Sequence, residues 1–316
     1  MKTTTRRSEA PNLMELARKF PDDASARAYL ESIRWPNGPV CPHCGTVNHA
    51  GKIAENPAKK IRAGLWQCLN RDCYKTFTVT IGTVFEASKV GLSNWLIAWY
   101  LMCASKKGIA ALELQRLLGI GSYRTAWFMC MRIRESLKRS GGDGGGMLVG
   151  DVEADATFIG GKSRNADRYK SKTAVLSMVE RDGAVRSVVV GSETRATVTP
   201  VLAAHVSPTA TLLTDGAHAY KTPGASFAAH LSVNHGKGIY VKGRAHTGTA
   251  DAFHGLIKRA VFGTWHQVSP KYLHRYMAEM DFRFTRRNTK DGSILRHGLE
   301  NLGGKRLKFN DLKAVG

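Results

Sequence analysis

Between residues 148 and 158 the chain alternates, with Val152, Ala154, Ala156 and Phe158 on one side and Asp151, Glu153, Asp155 and Thr157 on the other. A period of two is that of a strand, so one face is expected on a core and the other carries three carboxylates. Apolar runs at 173–180, 184–190 and 210–214 predict three more strands, the last ending at Asp215, with a helix over 197–206. Further on, Asp251 opens a stretch in which Ala252, Phe253, Leu256, Ile257, Ala260 and Val261 recur at helical spacing and give one apolar face. Lys258 follows Asp251 by two turns, and a seven-residue step returns close to the same side of a helix.

Three antiparallel strands, a crossover helix and a fourth strand match the opening of a ribonuclease H-like α/β fold, a mixed sheet flanked by helices. In that fold the first and fourth strands are neighbours, which brings Asp155 to Asp215. A helix carrying Asp251, separated from Asp215 by 35 residues, would pack across the sheet and add a third acid. Any one of these acids alone would be a turn or cap residue. Together with the following lysine they have the layout of a phosphoryl-transfer site that holds two Mg²⁺ or Mn²⁺ ions, one acid bridging both. Asp155 is the candidate bridge.

The amino-terminal half reads differently. Residues 92–106, with Trp95, Trp99 and Leu101, and residues 107–118 predict helices. A turn at Gly119-Ile-Gly-Ser122 then leads to a basic helix over 123–138. Helix, glycine turn and basic helix suggest a helix-turn-helix with its second helix in the major groove. Ser140-Gly-Gly-Asp-Gly-Gly-Gly146 reads as a tether. The expected organisation is a zinc ribbon with a helical lead-in over 1–85, the helix-turn-helix over 86–140, a glycine-rich linker over 141–147, the ribonuclease H-like domain over 148–290 and a basic tail over 291–316.

The ribbon rests on Cys41-Pro-His-Cys44 and Cys68-Leu-Asn-Arg-Asp-Cys73, two close pairs with 23 residues between them. Such pairs form two knuckles around one tetrahedral Zn²⁺, and four thiolates leave no open position, so the metal is structural. Disulfides fit poorly with a reducing cytosol. His43 and His49 read as surface neighbours, and Cys103 and Cys130, among apolar residues, as core thiols.

Charge adds a partner. Lys and Arg number 47 against 25 Asp and Glu, a net +22 at pH 7. That excess is an electrostatic footprint for the phosphates of double-stranded DNA, with steeply salt-dependent affinity. Arg124, Arg132, Arg134, Lys138, Lys162 and Arg259 are the candidate DNA contacts, and Lys258 a phosphate contact at the acids. No run of 18 apolar residues occurs and the first ten residues lack the apolar core of a secretory signal, so the expected place is the cytoplasm, on DNA, and no membrane partner is expected. His218, His235, His246 and His254 crowd the same segments as the acids and could position water or DNA, or be solvated or satisfied in the core.

Nearly the whole chain resembles the zinc-ribbon DDE transposases of bacterial insertion sequences, the ISXO-like group. The residues that carry the likeness are Arg34-Trp-Pro-Asn-Gly-Pro-Val-Cys-Pro-His-Cys-Gly45, Thr80-Ile-Gly-Thr-Val-Phe85 and Val152-Glu-Ala-Asp-Ala-Thr-Phe-Ile-Gly-Gly-Lys162. Further matches are Leu213-Thr-Asp-Gly216, Val233-Asn-His235, His246-Thr247, Asp251-Ala-Phe-His-Gly-Leu-Ile-Lys-Arg259, His266-Gln-Val-Ser-Pro-Lys271 and Phe282-Arg-Phe-Thr-Arg-Arg-Asn288. The resemblance implies that Asp155, Asp215 and Asp251 are the catalytic acids with Lys258. It also implies hydrolysis at the terminal repeats of an element and attack by the freed 3′ hydroxyl on target DNA. A homodimer or larger assembly is implied by the need to bring two ends together. The sequence departs from the family pattern at Ala156, where Glu is usual, at Gly248, where Asn is usual, and at Asp251, where Glu is usual. A captured transposase that binds DNA as a regulatory or architectural protein without cutting it is the alternative.

Overall fold

The computed structural model describes residues 13–138, 146–160, 172–289, 291–300 and 302–314. The chain divides into two compact units, one formed by Met1–Ser105, Ile109–Leu137 and Thr289–Gly316, the other by Lys106–Gly108 and Lys138–Asn288.

The first unit begins with helix α1 (Leu13–Lys19) and α2 (Asp23–Arg34). Asp22 caps α2: its carboxylate accepts from the Ser25 amide at 2.8 Å, which satisfies one of the donors a helix start leaves open. Three short antiparallel strands follow, β1 (Ala50–Lys52), β2 (Trp66–Cys68) and β3 (Thr76–Phe77), in the order β1-β2-β3. They are the arms of the expected ribbon.

Helices α3 (Leu92–Ala104), α4 (Ala111–Leu117) and α5 (Tyr123–Leu137) come next. Trp95 and Trp99 of α3 are almost wholly buried, as are Cys103 and, on α5, Cys130, which agrees with their expected core roles.

In the second unit β4 (Asp151–Ile159), β5 (Thr173–Glu180) and β6 (Val185–Val190) form an antiparallel meander. Helix α6 (Arg195–His205) crosses over to β7 (Thr211–Thr214), which pairs parallel to β4. After α7 (His218–Gly224), β8 (Ala229–Ser232) pairs parallel to β7 and gives the order β6-β5-β4-β7-β8. The four predicted strands and the crossover helix are all present, within a few residues of their expected limits. The fifth strand was not predicted, because Ala229-His-Leu-Ser232 is short and carries neither a β-branched run nor an alternation.

One face of the sheet packs Val152 and Ala154 of β4 and Leu176 and Met178 of β5 against Val198 and Leu202 of α6 and Tyr220 of α7. Helix α8 (Gly248–Ala260) packs on β4 and β5. Helix α9 (Pro270–Thr285) packs on β6, where the Asp281 carboxylate accepts from the Ser187 amide at 2.8 Å and from its hydroxyl at 2.7 Å.

The chain then returns to the first unit. Residues 291–316 were expected as a basic tail, but α10 (Asp291–Glu300) and α11 (Phe309–Ala314) occupy them. Leu295, Leu299, Leu302, Leu307 and Leu312 are all buried there. Gly298 passes so close to Trp99 that a β-carbon would lie 1.5 Å from the ring. The basic charge masked a leucine pattern that becomes legible only with its packing partner. The expected glycine linker falls largely on residues 139–145, outside the described residues.

Candidate active site

The site is built on β4. Val152 and Ala154 face the α6 side, so Glu153 and Asp155 share the opposite face. Both faces are covered at this point, and Glu153 is fully buried. A buried carboxylate has to be paired and hydrogen-bonded. Glu153 accepts from the amides of Thr249 and Ala250 at 2.7 and 2.9 Å, from the Thr249 hydroxyl at 3.1 Å and from Arg181 Nε at 2.8 Å. Its charge therefore sits on the open amides at the start of α8, where a helix attracts an anion.

That clamp sets what lies further along. Two residues on a strand advance roughly 6.6 Å. Four residues on a helix advance about 6 Å. With Glu153 at Ala250, Asp155 therefore comes level with residue 254, and His254 Nδ1 lies 3.2 Å from Asp155 Oδ2. Ligand atoms of Asp155, Asp251 and His254 all lie within 4.8 Å of one another. Thr247, at the start of α8, donates its hydroxyl to Asp251 Oδ2 at 3.3 Å. Asp251, Lys258 and Arg259 are exposed along α8 while His254 is buried.

Asp215 comes from the neighbouring strand. Glu153 is in register with Leu213, and Asp215 follows the last residue of β7, near enough to Asp155 that the charges of both act on Glu193. The Ala217 amide donates to Asp215 Oδ1 at 2.9 Å. Gly216 takes φ +79°, and a β-carbon there would meet the Val233 carbonyl oxygen at 2.7 Å, so the turn that aims Asp215 needs a glycine.

A fourth carboxylate completes the surroundings. Tyr220 donates its hydroxyl to Glu193 Oε1 at 3.0 Å. Burial, and then the charges of Asp155 and Asp215, push the Glu193 carboxyl above its usual range, although the Tyr220 bond works the other way. Burial likewise pushes the Tyr220 phenol up, so it stays a donor. Alongside the clamp, Arg244 Nη2 lies 2.6 Å from Asp151 Oδ1 and holds that carboxyl below its usual range.

Two oxygen acids and an imidazole within 4.8 Å of one another, Asp155, Asp251 and His254, suit a divalent cation, while Asp215 lies outside that group. His254 Nδ1, 3.2 Å from Asp155 Oδ2, is the nitrogen turned to these acids, and Nε2 is enclosed with no hydrogen-bond partner among the described residues. Sequence reasoning missed Glu153 as a clamp and Glu193 as a neighbour, and left His254 open between positioning water or DNA and being satisfied in the core. Only the last had a signal: it lies three residues beyond Asp251, one turn along the same side of a helix.

In the first unit the four cysteines converge. Cys41 Sγ lies 3.8 Å from Cys73 Sγ and Cys44 Sγ 3.7 Å from Cys68 Sγ. A tetrahedron with Zn–S bonds of about 2.3 Å has edges of about 3.8 Å, so the sulfurs are spaced for Zn²⁺. The Thr46 hydroxyl, 3.2 Å from Cys44 Sγ, holds that thiol down at about 6, whereas burial pushes Cys68 up to about 12. A buried thiol of this kind ionises at neutral pH only beside a cation.

Residues 147–285 match the ISXO2-like transposase domain, and residues 21–76 match the transposase zinc-ribbon domain. The chain belongs to this transposase family. A protein described as an uncharacterized protein in transposable element ISH50 of Halobacterium salinarum is 27% identical over 263 residues, which span 76% of this chain and 83% of that protein. No solved structure matches the chain at a significant level.

The basic residues expected to touch DNA in this transposase separate into two groups. Arg124 and Arg259 are exposed. Arg132 and Arg134, by contrast, are only 5% and 2% exposed, so the expected basic face of α5 is corrected. The Arg132 guanidinium donates to the Glu86 carbonyl at 2.5 Å and lies over the rings of Trp95 and Phe128. A planar, weakly hydrated guanidinium can be buried on aromatic faces, and sequence charge alone does not reveal this. Lys138 is half-buried, and Lys162 lies outside the described residues. No helix among the described residues is long and apolar enough to cross a membrane.

Proposed function

We propose that this transposase binds the terminal inverted repeats of its insertion sequence, cuts at the element ends and joins them to target DNA by phosphoryl transfer at Asp155, Asp215 and Asp251. The observation that carries the reading is that ligand atoms of Asp155 on β4 and Asp251 on α8 lie within 4.8 Å of one another, with Asp215 directly after β7, the strand paired parallel to β4. Three antiparallel strands followed by a parallel fourth support a ribonuclease H-like domain. Divalent cations such as Mg²⁺ or Mn²⁺, when bound, would activate the attacking oxygen and offset charge at the leaving one. Asp155, Asp215 and Asp251 would hold the ions.

The chain's own residues do the positioning. Glu153 fixes the start of α8 and thereby the place of Asp251. Lys258 and Arg259, exposed two turns beyond, would hold DNA phosphates beside the acids. Arg124 would add a contact from the first unit, whose zinc ribbon contributes to recognition of the ends rather than to chemistry. The net charge of +22 supports binding of double-stranded DNA, and joining two ends calls for at least a dimer.

The test is incubation of the protein and its Asp155→Ala variant with labelled DNA carrying the flanks of its own gene, with Mg²⁺ or Mn²⁺. Cleavage at a repeat boundary by the parent alone, with DNA affinity equal in both, is the expected result. Equal binding without cutting under either metal would replace this reading with that of a captured DNA-binding protein.

A further inference from the structure

We infer that His254 supplies a nitrogen ligand to the divalent cation held by Asp155 and Asp251, so that the centre is a mixed oxygen and nitrogen site. The inference rests on reading those acids as the cleavage site. Four observations carry it. Ligand atoms of the three side chains lie within 4.8 Å of one another, close enough for one ion to reach all three. His254 is 5% exposed, so the imidazole is not a surface group that happens to pass by. Its Nδ1 lies 3.2 Å from Asp155 Oδ2, and its Nε2 is buried with no partner among the described residues. Finally, the ring is held in place by more than its own contacts. Glu153 pins the first turn of α8 to the same strand that carries Asp155, and His254 follows one turn later.

Nδ1 is the nitrogen turned to Asp155, so it is the donor within reach of an ion that these acids hold. A cation between the three side chains relieves the mutual repulsion of two acids and gives the imidazole a reason to be buried there. An imidazole ligand also changes which ion fits. Carboxylate and water sites suit Mg²⁺, whereas nitrogen donors favour first-row transition ions, of which Mn²⁺ accepts both. The site should therefore bind Mn²⁺ more tightly than Mg²⁺, and His254 should account for the difference.

The deciding experiment is pulsed EPR of the untagged, full-length protein with Mn²⁺ alone and no DNA. The expected spectrum shows a ¹⁴N coupling to the bound Mn²⁺. Labelling with ¹⁵N-histidine should convert it, and it should vanish in His254→Gln. Mn²⁺ affinity in that variant should fall by roughly tenfold or more, since even outer partners of metal ligands cost 10–100-fold. His254→Asn is carried in parallel in case one substitution fails to fold, and far-UV circular dichroism reports folding for both. Mn²⁺ bound in an Asp155-dependent way without nitrogen coupling, or coupling that survives in a folded His254 variant, would overturn the assignment of His254 while leaving the acids in place. Mn²⁺ binding unchanged by Asp155→Ala would overturn the reading of the acids, and this inference with it.

Discussion

The Glu153 carboxylate accepts the backbone amide of Thr249 at 2.7 Å, 96 residues away in sequence, and this bond ties strand β4 to the first turn of helix α8. Because Asp155 lies two residues beyond one partner and Asp251 two beyond the other, the clamp fixes the distance between two acids without touching either. It is a positioning device, and its removal should be felt as stability and as geometry.

Glu153→Ala removes the acceptor of two helix amides and leaves Arg181, whose side chain is 20% exposed, without its closest carboxylate. Breaking a buried pair in this way costs about 3–5 kcal/mol. A clear drop in melting temperature is expected in thermal denaturation. Glu153→Gln should lose less, because the amide oxygen can still accept from Thr249 and Ala250.

Glu193 should be detectable through pH. Its carboxyl is raised in the folded protein, chiefly by burial, above an ordinary value of 4.5. A raised group contributes stability fully present below the unfolded value and lost as pH rises through the folded value. At neutral pH the ionised carboxylate therefore opposes folding. Glu193→Gln, which keeps an oxygen for the Tyr220 hydroxyl, should melt higher than the parent at neutral pH without added divalent metal. The difference should shrink as pH approaches 4.5. An unchanged or lower melting temperature at neutral pH would contradict this.

The sulfur cluster predicts one tightly held Zn²⁺ per chain. Cys68, buried at β2, is the ligand whose loss should matter most to the ribbon. Cys68→Ser should lose stoichiometric zinc by elemental analysis and open the ribbon to limited proteolysis. Protonation competes with metal at thiolates, so zinc should be released as pH falls below neutrality and retained above it.

Lys258 and Arg132 should behave oppositely although both are basic. Lys258 is exposed on α8, and Lys258→Ala should weaken DNA binding uniformly and reduce the slope of log affinity against log salt by about 1. Arg132 is enclosed, and Arg132→Ala should instead destabilise the first unit by about 1–3 kcal/mol with the salt slope unchanged. Salt-titrated binding and thermal melts on the same two variants separate the effects.

The sequence by itself determined the three antiparallel strands, the crossover helix and the fourth strand of the second unit, and the helix that carries Asp251. Hydrophobic period is local and survives without partners, as Val152 to Phe158 and the apolar face of α8 illustrate. It also determined the ribbon, because two cysteine pairs have few other uses in one chain. Tertiary structure alone decided what depends on neighbours distant along the chain. Glu153 looked like one more acid on a polar face until α8 covered that face. Arg132 and Arg134 looked like a DNA-reading surface until burial placed them inside, and residues 291–316 looked like a tail until their leucines found a core. His254 joined the site only because a strand advancing about 3.3 Å per residue and a helix advancing about 1.5 Å per residue run in step from a shared clamp. Charge and residue type are written in the chain, but whether a charge faces water, a partner or a cation is set by which distant segment packs over it.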